Sequence, residues 1–222
     1  YTAYLSEHEG VAPAICAGLS LGEFSAACAA NVFDFENGLK LVAARGQLMD
    51  ECCRKAPGGM AAVLGGDVAD IEAACREADI DIANYNCPGQ IVISGANESL
   101  DKACNLLQGK VLRTVRLSVA GAYHSRLMKP ASEAFGEVLA DCALSEPRCP
   151  FAQNVPGAVV SDTAEIRRNL QLQVASSVRW EQCARAMMGC SQRLLEFGPG
   201  NVLCGFMKRI DRAFPAEVAV KC

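Results

Sequence analysis

The chain is 222 residues long, which suits one large domain or a large domain carrying a smaller inserted one. It is 51% hydrophobic, so a sizeable core can form, and a formal charge of −4 without basic, aromatic-interleaved runs excludes a nucleic-acid binder. No apolar run approaches the ~20 residues of a membrane span, so no membrane partner is expected.

Residues 1–10 lack the charged start and apolar centre of a secretory signal, and there is no initiator Met, so an incomplete or processed chain is expected. Residues 12–17 read as a short buried strand and 21–30 as a small-residue helix. The clearest helix is 35–53, where Leu39, Val42, Gly46, Met49 and Cys53 recur at three- and four-residue steps before Pro57-Gly58-Gly59 ends it. Strand 60–64, helix 67–78, strands 80–85 and 90–94 joined by Asn86-Cys87-Pro88-Gly89, helix 98–107 and strand 112–117 follow. That order is a ferredoxin-like split βαβ unit, so residues 57–118 are expected to form an inserted subdomain. Helix 130–142, strand 149–154, helices 166–174 and 180–190, strand 193–197 and helix 201–210 complete the chain. The expected class is α/β, with residues 1–56 and 119–222 forming a mainly parallel-sheet large domain.

Thirteen cysteines, spread through apolar segments, read as small buried hydrophobes in a reducing compartment, with Cys222 free at the end. With no Cys-x-x-Cys and two histidines, a zinc site is not expected.

Gly18-Leu19-Ser20-Leu21-Gly22-Glu23 places a serine between two glycines, after a strand and before a helix. In that context Gly-x-Ser-x-Gly marks a nucleophile elbow, with helix N–H groups available to a developing oxyanion. The same residues also suit a plain turn with Ser20 as helix N-cap. A serine nucleophile needs a base, and the choice is His8, in a polar stretch that suits water, or His124, where a strand pattern ends and a helix begins. Arg45 lies on or beside the apolar stripe of the strongest helix. It suits either a side chain snorkelling at the edge of that face or a guanidinium aimed into a pocket for a carboxylate.

Together with Arg45-Gly46-Gln47-Leu48-Met49, Asn84-Tyr85-Asn86-Cys87-Pro88-Gly89-Gln90, Gly121-Ala122-Tyr123-His124-Ser125 and Gly198-Pro199-Gly200-Asn201-Val202-Leu203, the elbow stands in the order seen in malonyl-CoA:acyl carrier protein transacylases. The resemblance covers essentially the whole chain, and the Leu-Ser-Leu-Gly-Glu form is similar to plant and algal members, which suggests a plastid. It implies a hydrolase-like large domain and ping-pong transfer for fatty-acid or polyketide synthesis. Ser20, deprotonated by His124, takes the malonyl group from malonyl-CoA and passes it to the phosphopantetheine thiol of an acyl carrier protein. The resemblance further implies that the Leu21 N–H serves the oxyanion hole and that Arg45 holds the malonyl carboxylate. It also puts Met49, Asn86 and Gln173 among the substrate-binding residues, with the Gln173 backbone carbonyl orienting the histidine. By itself Gln173 reads as a helix-surface glutamine. No resident cofactor is implied, the carrier protein is a transient partner, and a monomer is expected. Tyr123 beside His124 suits a small unbranched acyl group.

The chain departs from the family in two places. Nothing before Gly18 resembles the Gly-Gln-Gly-x-Gln segment that gives the second oxyanion donor, a loss worth roughly 10²–10³ in rate. Ser177 stands where a proline is usual. Two competing readings are a serine esterase using an acid such as Asp101, and a non-catalytic carrier-binding module. Lys208, Arg209 and Arg212 form a candidate basic patch for an acidic carrier, or simply a solvated helix end.

Overall fold

In the computed structural model, residue 10 and residues 12–219 are described; His8 and Cys222 lie outside them. Strand β1 (Cys16–Ala17) leads into α1 (Leu21–Ala29) and the long α2 (Phe35–Lys55). The Asp34 side chain caps α2 by accepting from the Asn37 N–H at 2.7 Å, and Arg54 and Lys55 occupy its last turn, each complementing the helix dipole. Its buried face runs through Gly38, Leu41, Arg45, Met49 and Cys52. The expected period is present, but its phase is rotated: Leu39 is 58% exposed and Gly46 faces solvent, so Arg45 points inward instead of lying at the edge.

Strands β2 (Gly58–Leu64), β3 (Asp81–Cys87), β4 (Gln90–Ala96) and β5 (Arg113–Arg116) form an antiparallel sheet in the order β3-β4-β2-β5, with α3 (Val68–Ala78) and α4 (Asn97–Leu106) in the two crossovers. Side chains alternate across this sheet. Ala61, Val63, Ile91 and Ile93 pack under Ile71, Ala74, Leu100 and Leu107 of the helical layer. On the other face Met60, Ala83 and Val92 meet Leu117 and Tyr123, next to His124. Strand β3 extends two residues past its expected end, with irregular register, so that the turn is Pro88-Gly89, where Gly89 takes φ 73°.

The rest of the chain supplies α5 (Lys129–Ala140), β6 (Phe151–Gln153), β7 (Ala158–Val160), α6 (Thr163–Leu172), α7 (Trp180–Cys190), β8 (Leu194–Glu196), α8 (Val202–Ile210) and β9 (Ala216–Val218). Strand β1 pairs parallel with β6, β6 antiparallel with β7, and β8 parallel with β9. The α/β class holds, with β7 and β9 as short additions the pattern did not announce. Segment 166–174, expected as one helix, is the end of α6 followed by a 3₁₀ turn at Gln173–Ala175. Phe24 and Phe135 meet edge to face at 5.8 Å between ring centroids inside the core under α1 and α2. The sheet of β3 is tied to this core by backbone. The Tyr85 N–H donates to the Val178 carbonyl at 2.9 Å and the Val178 N–H to Ala83 at 2.8 Å. Among the described residues no helix is long and apolar enough to cross a membrane, and the cysteines there are unpaired thiols.

Candidate active site

Between β1 and α1 the chain reverses within three residues. A Cβ at Gly18 would overlap the Gly22 carbonyl, so only glycine allows the strand and helix to approach this closely. Ser20 then sits at φ 51°, ψ −106°, outside the ordinary basins, at a cost of about 1–3 kcal/mol. Three bonds hold it there. Its N–H donates to Asn154 Oδ1 at 2.7 Å, and its carbonyl accepts from Gln173 Nε2 at 2.9 Å and from the Glu23 N–H at 3.1 Å. The hydroxyl therefore projects at the start of α1, beside the Leu21 N–H, which has no partner one turn back in the helix.

His124 follows β5 on an equally special backbone, φ 57°, with the Ser125 hydroxyl bonded to the Ala122 carbonyl at 2.6 Å. At Gly121 a Cβ would strike the Cys53 thiol, so the loop packs directly on α2. His124 Nε2 lies 2.7 Å from Ser20 Oγ, and Nδ1 lies 2.8 Å from the Gln173 carbonyl. A carbonyl only accepts, so Nδ1 carries the proton and Nε2 is free to receive one from the hydroxyl. Burial, reinforced by the Arg45 charge, lowers the imidazole pKa from 6.5 to about 4, so the ring is a neutral base at pH 7.

Arg45 Nη2 donates to Ser20 Oγ at 3.1 Å and to Gln173 Oε1 at 3.0 Å, while its guanidinium stands 5.5 Å from the Phe24 ring centroid. Nε has no hydrogen-bond partner among the described residues. Burial lowers its pKa to about 10, which leaves it charged at neutral pH. A fixed positive charge thus stands beside the nucleophile, suited to an anionic substrate group.

Behind these groups lies Glu23, which is fully buried. Its carboxylate accepts from Gln153 Nε2 (3.1 Å), the Asn154 N–H (3.0 Å) and Gln173 Nε2 (2.9 Å). Burial raises its pKa to about 7 against the pull of those bonds.

The structure thus brings Ser20, His124, Arg45 and Gln173 into one bonded cluster, with Leu21 at its edge. Gln173 is not a surface residue: it is fully buried, and its carbonyl and its side chain serve different neighbours. Met49 lies one turn along α2 from Arg45, inside the core. Asn86 is buried on β3 with an unpartnered Oδ1 and makes no hydrogen bond to the cluster. Asp101 cannot serve as the third member of an esterase triad. It is exposed on α4, bonded to Arg116 at 2.5 Å, and the histidine nitrogen it would need is taken by Gln173. Sequence reasoning missed Asn154, Gln153 and the role of Glu23. The signal available for Glu23 was a carboxylate in the apolar face of α1 beside Phe24, Ala26 and Ala27, all of them buried.

The acyl transferase domain family matches residues 2–193. A malonyl CoA-acyl carrier protein transacylase of Bacillus subtilis (strain 168) is 36% identical over 213 residues, 93% of this chain and 67% of that protein. An acyl carrier protein S-malonyltransferase from Vibrio cholerae superposes with a TM-score of 0.93 at 34% identity, over 100% of this chain and 74% of that one. A malonyl-transacylase solved in complex with its type II PKS acyl-carrier protein has a TM-score of 0.92 at 34% identity, over 99% and 72%. By its sequence, its fold and these relatives, the chain belongs to the acyl transferase domain family and, within it, to the malonyl-CoA:acyl carrier protein transacylases.

Proposed function

We propose that this chain moves a malonyl group from malonyl-CoA to the phosphopantetheine thiol of an acyl carrier protein, through an ester on Ser20. The observation that carries the reading is the placing of one hydroxyl against both a neutral imidazole, at 2.7 Å, and a guanidinium, at 3.1 Å. In the first half-reaction Ser20 Oγ attacks the thioester carbonyl as its proton passes to His124 Nε2. The imidazolium, steadied by the Gln173 carbonyl, then protonates the departing coenzyme A sulfur. The Leu21 N–H faces the developing oxyanion, and Arg45 binds the distal carboxylate. In the second half the carrier thiol gives its proton to His124 and attacks the ester, and Ser20 recovers its proton as it leaves. Side chains, backbone and the two substrates supply all the chemistry, with no resident cofactor. The product serves fatty-acid or polyketide chain building.

An acidic carrier would dock on the basic groove between the subdomain and α8. Arg113, Leu112 and the Pro88-Gly89 turn line it with Arg209, whose guanidinium reaches Gln90 at 3.1 Å, and Lys208 and Arg212 are exposed nearby. Mass spectrometry after incubation with malonyl-CoA tests the chemistry. A malonyl adduct on Ser20 that is discharged by holo carrier protein is the expected result. Hydrolysis of neutral esters without discharge to a thiol would overturn it. Reversing Lys208 and Arg209 to Glu is expected to weaken carrier binding and flatten its salt dependence.

A further inference from the structure

Glu23 sits in the first turn of α1, three residues after the nucleophile, and every group bonded to its carboxylate is a donor. Those donors are parts of the scaffold that shapes the site. Asn154 holds the elbow on both sides, through the Ser20 N–H at 2.7 Å and the Gly18 carbonyl at 2.8 Å. Gln173 holds His124 with its carbonyl and both Arg45 and the Ser20 carbonyl with its amide. Gln153 is fixed in turn by Asn169 at 3.0 Å. We propose that Glu23 is a positioning residue for the transfer reaction, whose ionised carboxylate aligns Asn154 and Gln173 and, through them, the Ser20 elbow and the His124 imidazole. This proposal rests on the transfer reading above.

Geometry favours the ionised form. A carboxylate is an acceptor only, which matches three N–H donors, whereas a protonated carboxyl would turn one acceptor into an O–H facing another donor. The helix N-terminus also favours negative charge. The charged and titratable groups facing it are Arg45 from α2, which stabilises the anion, and Cys183 from α7, whose buried thiol has its pKa pushed up to about 12 and stays neutral. Because burial holds Glu23 near 7 while His124 stays neutral down to about 4, a loss of activity on mild acidification would arise from the carboxylate and not from the base.

The test follows pre-steady-state acylation of Ser20 by malonyl-CoA from pH 5 to 9, with labelling of the same serine by a fluorophosphonate in parallel. Wild type, Glu23→Gln and Glu23→Asp are compared. Both wild-type rates are expected to fall below about pH 7. Glu23→Gln is expected to lower the plateau rate about 10- to 100-fold with KM for malonyl-CoA changed less than about threefold, and to abolish that acid limb. Glu23→Asp, which keeps the charge, is expected to restore part of the rate together with a limb. Wild-type rates that stay flat down to pH 5.5 would overturn the proposal without any variant, and so would a limb unchanged in Glu23→Gln. Should malonyl-CoA leave no adduct while fluorophosphonate labelling shows the Glu23-dependent limb, the transfer reading falls and the positioning role stands.

Discussion

Arg45 and Glu23 are joined through a single amide. Gln173 Oε1 accepts from the guanidinium at 3.0 Å, and Gln173 Nε2 donates to the carboxylate at 2.9 Å. The two buried charges feel one another without direct contact, so Arg45 keeps an open coordination side toward the nucleophile. A directly paired arginine would have its fork filled already and would bind a substrate carboxylate poorly.

Replacing Arg45 by Ala should therefore separate two substrates. We expect kcat/KM for malonyl transfer to fall about 10²- to 10³-fold, and acetyl transfer to fall less than about tenfold, the latter through the lost bond to Ser20 Oγ. Arg45→Lys should restore little, since a point charge cannot reproduce two directed donors. Steady-state comparison of malonyl-CoA with acetyl-CoA decides it, and equal losses for both would remove the carboxylate role.

Asn154→Ala deletes the acceptor for the Ser20 N–H and the donor to Gly18. A buried N–H left without a partner costs about 1–3 kcal/mol, and the strained serine backbone loses the one restraint on its N–H side. Denaturant unfolding should show destabilisation of that size, and Ser20 acylation should slow at least about tenfold. An unchanged acylation rate in a folded variant would contradict the restraint.

Gly18→Ala tests the close approach of strand and helix. The added methyl meets the backbone carbonyl of Gly22, which cannot rotate aside as a flexible side chain would. Destabilisation of at least about 2 kcal/mol with loss of the Ser20 adduct is expected, whereas Gly22→Ala, whose added methyl has open space, should fold normally.

Stability should carry the signature of the buried imidazole. His124 has a folded pKa near 4, below its unfolded value of 6.5, so between those values the unfolded chain takes up a proton that the native state refuses. Acidification through this window therefore favours unfolding. Relative to His124→Gln, wild type should lose about 1.4 kcal/mol per pH unit between pH 6.5 and about 4. Parallel stability curves for the two proteins would refute the depressed pKa.

What was legible in the sequence follows from how local the signal is. The subdomain's strands β2 and β4 are short apolar runs bounded by turn residues and its helix α3 starts at an acidic cap, Asp67, so its order could be read along the chain. The three-residue strands β7 and β9 are too short to show a period, and their pairing depends on partners far away. In α2 the spacing was visible but not its phase, because Gly46 and Leu39 fit either face until α5 and the elbow pack against it. Ser20 and His124 were legible through a constrained turn and the scarcity of histidine. Asn154 was not, and Gln173 was reached only through the family resemblance, since amides carry no motif. They act across 134 and 49 residues of sequence, on the Ser20 N–H and the His124 ring.

The paired backbone bonds between β3 and Val178 also mean that the inserted unit is sewn in at its rim as well as at its two chain crossings. Deleting it would strip the peptide groups of Val178 of their partners, and excising it would bare the outer edge of β3. Either fragment would carry a raw strand edge that recruits other chains. Shuffling this unit between homologous enzymes therefore calls for moving the segment around Val178 along with it.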